Sequence, residues 1–343
     1  MQTLANVLYV TTQGAYVRRN HETLQVKIEG KVKLTVPLHH LEGLMCFGQI
    51  QVSSGVYAIC ADKNLHIAML SQQGRFLARA EGCLNGNVLL RRQQYRLADD
   101  SAACLAISKP MIAGKVQNAR NLMLRSARDS TDACRSELLR KAAAHLAALL
   151  EQLAGVDDLE VARGIEGASA RTYFESLKHM IHPTDEAFRF DGRTRRPPES
   201  PVNALLSFVY ALLRHDCESA LHAVGLDSGV GYLHADRPGR PSLALDLMEE
   251  FRALIADRLV LALINRRQVS PTGFQLECGR AVSMDDKTRR TVLAAYQERK
   301  REQIKHPLFE ESVCVGLLPH LQARLLARTI RGDLENYPAI VIR

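Results

Sequence analysis

The sequence predicts an α+β protein in which a small, β-sandwich-like N-terminal domain precedes a larger all-α domain. Residues 3–80 are rich in short runs with the periodicity of strands. From about residue 100 onward, apolar residues recur at helical spacing in long segments rich in Ala, Leu and Arg. We therefore predict a β domain at 1–85, a junction at 86–100 where a helix begins, and an all-α domain at 101–343.

Strand patterns justify the first domain. The second and third of the predicted strands alternate apolar and polar residues, as half-buried strands do. Breaks containing Gly14 and Gly30, and a turn at 72–74, separate the segments. The predicted strands are 6–12, 23–28, 31–37, 65–70 and 75–79.

Helical periodicity justifies the second domain. The stretch 182–201 is rich in Pro, Arg and Asp, so we expect it to pack poorly and form a mobile basic loop. Pro271 and Gly273 indicate a hairpin at 269–282 between two helices. The predicted helices are 88–127, 131–154, 158–180, 201–225, 242–267, 286–304 and 312–332.

The composition is that of a globular protein. The chain has 343 residues, of which 46% are hydrophobic and 24% charged, and this composition excludes a disordered chain. A run of 18 apolar residues and a signal peptide are both missing, so we expect a cytoplasmic location. The eight cysteines form no C-x-x-C pair, which excludes zinc-ribbon and thioredoxin-type sites.

The charge balance favours a polyanionic partner. The formal net charge is +8, and 34 of the 45 cationic residues are arginines. Arginine binds phosphate through a planar, bidentate fork, although a GC-rich genome would give the same bias. The absence of Trp and the 5% of aromatic residues argue against a protein that binds single strands by base stacking.

Glu166 is the first candidate for chemistry. It lies between Gly164 and Gly167, where small neighbours allow a second backbone or a nucleic-acid strand to approach. Its position also suits a glutamate in the opening turns of a helix, where it would interact with the helix dipole. Arg163 precedes this motif and is a candidate DNA contact.

A second candidate region follows His234. This histidine stands before a Pro- and Gly-rich loop that carries Arg237 and Arg240 and enters a helix near Ser242, a candidate N-cap. The alternatives are a solvated loop histidine and two surface charges. The two arginines are candidate DNA-binding residues.

The third candidate is the helix that begins there. Asp246 is three and four residues from Glu249 and Glu250, so it would share a helix face with each. A solvated acidic stripe near the helix N-terminus is the alternative. Together, one histidine and two or three carboxylates form a hard, oxygen-rich donor set that suits Mg²⁺ or Mn²⁺. Such a site among arginines is what phosphodiester chemistry requires.

These motifs resemble the CRISPR adaptation integrase family, that of the first-numbered Cas protein, and most closely its I-C subtype. The N-terminal segments 4–12, 37–43, 74–79 and 86–92 also resemble that family, so the resemblance covers essentially the whole chain. The segments that carry it are 164–174 (GIEGASARTYF), 231–234 (GYLH) and 240–252 (RPSLALDLMEEFR).

The resemblance implies roles for individual residues. Glu166, His234 and Glu249 match the family's catalytic metal ligands, with Mg²⁺ or Mn²⁺ as the cofactor, and Asp246 matches a supporting acidic position. The third ligand is an Asp in some members, and Glu has a longer reach. His234 must be neutral to bind a metal, so activity is expected to fall as the pH drops.

The resemblance also implies an activity and partners. The expected activity is that of a DNA endonuclease and integrase, in which the 3′-hydroxyl of a short duplex attacks a phosphodiester at a CRISPR repeat. The expected partners are double-stranded DNA, a second copy bound through the β domains, and a dimer of the second-numbered Cas protein. The alternative is a non-catalytic, basic nucleic-acid-binding scaffold, in which the same acids only stabilise helices.

Overall fold

The computed structural model describes residues 6–63, 65–72, 76–80, 88–182 and 186–342. The chain divides into two compact units, Met1–Asn85 and Gly86–Arg343. Parts of the predicted turn at 72–74 and of the predicted junction lie outside the described residues. In the described part of the chain, none of the helices has the length and apolar character needed to cross a membrane.

The described residues of the first unit form two four-stranded sheets and one α-helix, α1 (Ser54–Lys63). The sheets have the strand orders β1-β5-β7-β8 and β4-β3-β2-β6. The strands are β1 (Asn6–Val10), β2 (Tyr16–Asn20), β3 (Thr23–Ile28), β4 (Lys31–Pro37), β5 (Leu41–Phe47), β6 (Gln51–Val52), β7 (His66–Leu70) and β8 (Phe76–Ala80).

Turn chemistry explains how the predicted strands at 23–28 and 31–37 are joined. Ile28 pairs with Lys31, so β3 and β4 are joined by the two residues Glu29 and Gly30. Both have positive φ, 51° and 76°, which is the backbone of the tight turn that matches the twist of antiparallel strands. The predicted strands 23–28 and 31–37 are therefore confirmed in position, and the structure shows that they pair as a hairpin.

Strands β2, β5 and β6 were not predicted. Strand β5 pairs in parallel with both β1 and β7, and Leu44, Met45, Cys46 and Phe47 are all fully buried. A strand covered on both faces reads as a continuous apolar run, so the alternation used to find strands is missing. Residues of both sheets and of α1 contribute to one buried apolar cluster.

Within residues 88–182 and 186–342 the second unit is mostly helical but contains two small hairpins, so the prediction of an all-α domain is wrong in this detail. Strands β9 (Phe274–Leu276) and β10 (Val282–Met284) form the predicted hairpin, whereas β11 (Gln303–Lys305) and β12 (Ser312–Cys314) were not predicted. The helices are α2 (Val88–Ala98), α3 (Ser101–Asp129), α4 (Ala133–Ala154), α5 (Leu159–Leu177), α6 (Pro201–Ala223), α7 (Ser242–Met248), α8 (Arg258–Asn265), α9 (Asp286–Arg301) and α10 (Leu318–Arg331).

Capping divides a predicted helix in two. The carboxylate of Asp100 accepts hydrogen bonds from the backbone N–H groups of Ala102 and Ala103, at 2.9 and 3.3 Å. This bond satisfies orphan donors at the start of α3 and ends the continuous helix predicted at 88–127. Helix α3, which begins at this cap, carries Lys115, one of the charged residues of the site described below.

The basic stretch before α6 packs more closely than its composition suggests. Phe188 and Phe190 are 5% and 3% exposed. Arg193 donates hydrogen bonds to Asn203 Oδ1 and Ser207 Oγ, each at 3.0 Å. The expectation that this stretch packs poorly is therefore wrong for Phe188, Phe190 and Arg193, whereas Arg195 and Arg196 are exposed, and the mobility of the stretch stays a prediction.

Candidate active site

The segment predicted as one helix at 242–267 is broken into four parts. Helix α7 is followed by a 3₁₀ turn at Glu249–Phe251, a π-helical segment at Arg252–Asp257, and then α8. The changes of pitch alter which side chains share a face. Asp246 and Glu249 both approach His234, whereas Glu250 contacts a different part of the chain. The prediction that Asp246 shares a face with Glu249 is therefore consistent with the structure, whereas the prediction that it shares one with Glu250 is wrong.

Asp246 holds the loop that carries His234. Its buried carboxylate accepts hydrogen bonds from the backbone N–H groups of Tyr232, Leu233 and His234, at 2.7, 3.0 and 2.9 Å. A Cβ atom at Gly231 would lie 2.9 Å from Asp246 Oδ2, so only glycine allows this approach. The carboxylate thus fixes the path of the backbone into the histidine.

Ser242 does not cap α7. Pro241 takes the N-cap position and makes no side-chain cap, and Ser242 Oγ donates to the carbonyl of Ala235 at 3.1 Å. The predicted N-cap is therefore wrong by one residue. The serine instead ties the start of α7 to the loop after His234.

The Asp246 carboxylate also orients the His234 ring. His234 Nδ1 lies 2.6 Å from Asp246 Oδ1, and the other ring nitrogen, Nε2, lies 3.9 Å from Glu249 Oε1. With a carboxylate on Nδ1, the neutral ring carries its proton there, which leaves the Nε2 lone pair facing Glu249. Metal-binding histidines commonly have this arrangement, in which a carboxylate orients the ring and makes it a stronger ligand.

Glu249 is the centre of a charged cluster that also contains Glu166, Lys115, His234 and Arg252. Its side chain is 2% exposed, and its carboxylate lies 2.9 Å from Arg252 Nη2 and 2.7 Å from Lys115 Nζ. Burial by itself would raise the pKa of this carboxyl, but the charges of Arg252 and Lys115, and then of His234, outweigh it and lower the pKa to about 2. Glu249 is therefore a carboxylate throughout the physiological range of pH.

Glu166 reaches the same cluster through Lys115. It lies in the middle of α5, whose N-terminus is capped by Asp158, so the expectation that it lies in the opening turns is wrong. Its carboxylate forms an ion pair with Lys115, which also contacts Glu249. A side chain added at Gly164 or Gly167 would meet nothing within 4 Å. The helix surface at these two glycines is therefore open.

Lys115 was missed by the sequence analysis. It lies on α3, and its side chain is only 12% exposed. Met111, Ile112 and Val116, at helical spacing around it, are fully or almost fully buried. A lysine within the apolar stripe of a long helix is the signal that could have identified it, because such a charge needs a partner.

A second buried network supports Arg252. Its guanidinium lies over the ring of Tyr210, 5.3 Å from the centroid. The hydroxyls of Tyr210 and Tyr173 donate to the buried carboxylate of Asp257 at 2.6 and 2.8 Å. Burial raises the pKa of Asp257 to about 6 although these bonds oppose the shift. The network fixes the guanidinium that faces Glu249.

The three arginines predicted to contact DNA differ in their surroundings. Arg163 donates from Nε to the carbonyl of Leu233 at 2.7 Å, so it ties α5 to the histidine loop. Arg237 is exposed. Burial, followed by the charge of Arg237, lowers the pKa of Arg240, and the charges of Arg195 and Arg196 add to this effect. A cluster of cations is therefore present beside the histidine loop.

The donor set fits a hard divalent cation, but the ligands are not gathered around a common point. Within the described ranges, no group of three His, Cys, Asp or Glu side chains is placed to hold a metal ion. The reason is visible in the cluster, because the Lys115 ammonium lies between Glu166 and Glu249. Two carboxylates around a positive charge, with an oriented imidazole alongside, nevertheless have the chemistry of a Mg²⁺ or Mn²⁺ site.

Glu250 anchors the end of the chain beside this cluster. Its carboxylate, which is fully buried, accepts hydrogen bonds from the Tyr337 hydroxyl and the Ile340 N–H, each at 2.6 Å, and from Gln322 at 3.2 Å. Asn118 of α3 donates to the carbonyls of Glu250 and Ile340. The C-terminal segment is thus fixed against the turn that carries Glu249.

This anchor predicts a pH-dependent stability. Burial raises the pKa of Glu250 from 4.5 to about 8. Between those values the folded state holds one proton more than the unfolded state, so the free energy of unfolding should fall by about 1.4 kcal/mol per pH unit as the pH rises. Glu250→Gln should lose this slope, as measured by urea unfolding followed by circular dichroism at about pH 5 and pH 8. Parallel pH profiles for the parent and the variant would contradict the assignment.

A comparison with known families shows to which protein family this chain belongs. The family model described as CRISPR associated protein Cas1 matches residues 8–298. The chain belongs to the Cas1 family. The family assignment made from the sequence is confirmed.

Curated relatives extend this match to the whole chain. The CRISPR-associated endonuclease Cas1 1 of Moorella thermoacetica is 46% identical over 343 residues and covers 100% of both chains. The CRISPR-associated endonuclease Cas1 2 of Rhodospirillum rubrum is 48% identical and covers 98% of each chain. Both matches therefore include the strand-rich first unit as well as the helical second unit.

Solved structures show the same fold at lower identity. A CAS1 protein from Thermotoga maritima has a TM-score of 0.81 at 22% identity and covers 95% of this chain and 97% of its own. A casposase bound to integration product has a TM-score of 0.82 at 20% identity and covers 97% and 93%. The predicted α+β class, with N-terminal strands and a larger helical region, is confirmed.

Proposed function

We propose that this chain is a Mg²⁺- or Mn²⁺-dependent DNA endonuclease and integrase that inserts short DNA fragments as new spacers into a CRISPR array. Relatives named CRISPR-associated endonuclease, at 46–48% identity, support a nuclease of CRISPR adaptation. The observation that carries the chemistry is the charged cluster in which His234 and Lys115 meet the carboxylate of Glu249.

Glu166, His234 and Glu249 would hold the cation. When bound, it would neutralise phosphate oxygens and stabilise the attacking or leaving oxygen. Asp246 keeps the His234 lone pair on Nε2, and Arg252 keeps Glu249 ionised and in place. With His234 neutral, the charges of three carboxylates, Lys115 and Arg252 sum to −1, which favours a cation over an anion at this point.

The surroundings suit a phosphodiester strand. The surface beside Gly164 and Gly167 is open, and Arg237 and Arg240 lie next to the histidine loop with other cations nearby. Arginines at this position would hold backbone phosphates. In the transesterification, the attacking 3′-hydroxyl oxygen forms a bond to phosphorus and its proton passes to solvent. The bond from that phosphorus to the existing 3′ oxygen breaks, and the leaving oxygen takes a proton from solvent to become a hydroxyl. Water in place of the hydroxyl gives hydrolysis.

The assembly is also proposed. The first unit would form a homodimer contact, and the complete complex would contain a dimer of the second-numbered Cas protein and double-stranded DNA. The I-C subtype is proposed from segments of the first unit and the junction, such as 37–43 and 86–92. Membership of the Cas1 family supports these partners.

The activity has a direct test. Supercoiled plasmid incubated with the protein, Mn²⁺ and a short duplex is expected to give nicked plasmid and joined product, and EDTA should abolish both. A duplex ending in 3′-dideoxynucleotides should abolish joining but leave nicking, because the attacking oxygen is missing. Gel analysis of labelled duplex measures both products.

Another outcome would favour the scaffold alternative. The ion pairs of Lys115 with Glu166 and Glu249 are its supporting observation, since they satisfy both acids without a metal. Salt-sensitive DNA binding with no covalent product, with or without divalent cations, would contradict the enzymatic proposal.

A further inference from the structure

The loop that carries His234 is held in place by other elements of the fold. It connects α6 to α7, and residues 224–241 form turns and irregular backbone. Gly225, Gly229 and Gly231 lie in its first half, where they add backbone freedom. A side chain on such a loop keeps one position only if neighbouring groups fix the loop backbone. The placement of His234 therefore depends on the groups that bind this loop.

Two different elements bind two parts of the loop. Asp246 of α7 accepts the backbone N–H groups of residues 232–234, which form the end of the loop nearest the imidazole. Residues 227–230 are bound instead by Gln94 of α2, which is 133 residues from Asp227 in the sequence. Gln94 is 0% exposed. The part of the loop that leads to the histidine thus depends on one buried amide.

The Gln94 amide uses both of its donors and its acceptor on the loop. Its Oε1 accepts from the Asp227 N–H at 2.9 Å, and its Nε2 donates to the carbonyls of Asp227 and Val230 at 2.8 and 3.0 Å. A backbone N–H only donates and a carbonyl only accepts, so these partners fix the orientation of the amide. A carboxylate lacks the donors and an apolar side chain lacks all three bonds, so the contact requires an amide.

Tyr95, the next residue of α2, adds a contact to the same turn. Its hydroxyl donates to Asp227 Oδ2 at 3.0 Å, while Oδ1 of the same carboxylate accepts from the Gly229 N–H at 2.8 Å. The carbonyl of Ser228 accepts from the Leu243 N–H at 3.0 Å, which ties the turn to the start of α7. Residues 227–230 are therefore joined both to α2 and to the helix that carries Asp246.

These contacts lie close in sequence to a candidate metal ligand. The bond from Gln94 to Val230 ends four residues before His234. A change in the backbone at 227–230 would pass along this short segment and displace the imidazole. Groups that hold a metal ligand in place, without touching the metal, typically change the affinity for the metal 10- to 100-fold when they are substituted.

We propose that Gln94 is a positioning residue for the metal site, in which its amide fixes residues 227–230 so that His234 is presented to the divalent cation. This inference rests on the proposed function, because it takes His234 as a ligand of the cation. Gln94 contacts neither the cation nor the DNA and acts only through the loop. Tyr95 supports the same contact through Asp227. Helix α2, the first helix of the second unit, thereby takes part in metal binding.

The test measures the affinity for Mn²⁺, which does not require turnover. The full-length protein is titrated with Mn²⁺, and the free ion is followed by electron paramagnetic resonance. Gln94→Met keeps a side chain of similar length but removes all three bonds, so Mn²⁺ should bind about 10-fold more weakly. Gln93→Met is the matched control, because it makes the same change at the neighbouring, half-buried position. It should keep the affinity within about twofold of the parent.

A second comparison shows whether the effect passes through His234. In His234→Ala the ligand is absent, so the position of the loop no longer affects the cation. Gln94→Met/His234→Ala should therefore bind Mn²⁺ within about twofold of His234→Ala alone. An equal loss of affinity in both backgrounds would show general damage to the fold and would overturn the inference.

Tyr95→Phe decides the question if Gln94→Met does not fold. Tyr95 is 40% exposed, and the change removes only the hydroxyl that contacts Asp227. Loss of this one bond should weaken Mn²⁺ binding about threefold, again only when His234 is present.

The remaining outcomes separate this inference from the proposed function. Parent affinity for Mn²⁺ in both Gln94→Met and Tyr95→Phe would overturn the role of Gln94, while Mn²⁺-dependent nicking by the parent would leave the nuclease proposal intact. A parent protein that neither binds Mn²⁺ nor nicks plasmid would overturn both.

Discussion

Glu166→Gln is expected to lower the rate of Mn²⁺-dependent plasmid nicking by at least about a thousandfold. The change keeps the shape of the side chain but removes the negative charge that would hold the cation. A bound divalent ion contributes several kcal/mol of transition-state stabilisation, which corresponds to this loss of rate. Glu166 is 25% exposed, so the fold and the binding of DNA should be retained.

The matched control is Glu160→Gln on the same helix. Glu160 is exposed and pairs with Arg163, so it has the same chemistry without a place in the cluster. Its nicking rate should stay within about twofold of the parent, because surface changes of this kind have small effects. Parent-level nicking by Glu166→Gln would remove Glu166 from the site.

The second large effect concerns stability. Arg252→Met should lower the free energy of unfolding by about 3–5 kcal/mol, because it leaves the buried charge of Glu249 with one partner fewer. The substitution also removes the guanidinium that packs on the Tyr210 ring, which adds to the loss of stability. Urea unfolding followed by circular dichroism measures it, since the chain has no tryptophan to report by fluorescence.

A double variant separates charge from packing. In Glu249→Gln/Arg252→Met the uncompensated carboxylate is gone, so the double variant should be more stable than Arg252→Met alone. Arg171→Met, an exposed position on α5, should change stability by less than about 0.5 kcal/mol. If Arg252→Met costs no more than Arg171→Met, the ion pair does not hold Glu249 in place.

Local patterns predicted those parts of the fold that depend on neighbours in sequence. The β3–β4 hairpin follows from alternation and the Glu29-Gly30 turn. Strand β5 was missed because it is buried on both faces between two strands from distant parts of the chain, so its apolar residues do not alternate with polar ones. The continuous helix predicted from 242 was wrong after Met248, since apolar periodicity does not distinguish α, 3₁₀ and π pitch.

The candidate site likewise combines residues that local sequence patterns identify with contacts that depend on tertiary packing. His234 and Asp246 are twelve residues apart and come from recognisable motifs, so the sequence could name them. The direction of Glu250, away from the cluster and toward Tyr337, depends on a change of helical pitch. Lys115 reaches Glu166 and Glu249 only because α3 packs beside α5 and the 3₁₀ turn.

By itself the sequence determined the class of the fold, the family, and the acids and histidine that would do chemistry, because each is written in short patterns of residue type and spacing. Only the tertiary structure decided that a lysine separates the two glutamates and that Glu250 points away from them toward Tyr337. Coulombic and hydrogen-bond energies act over a few ångströms in space, so groups far apart in the chain interact only once packing has brought them together.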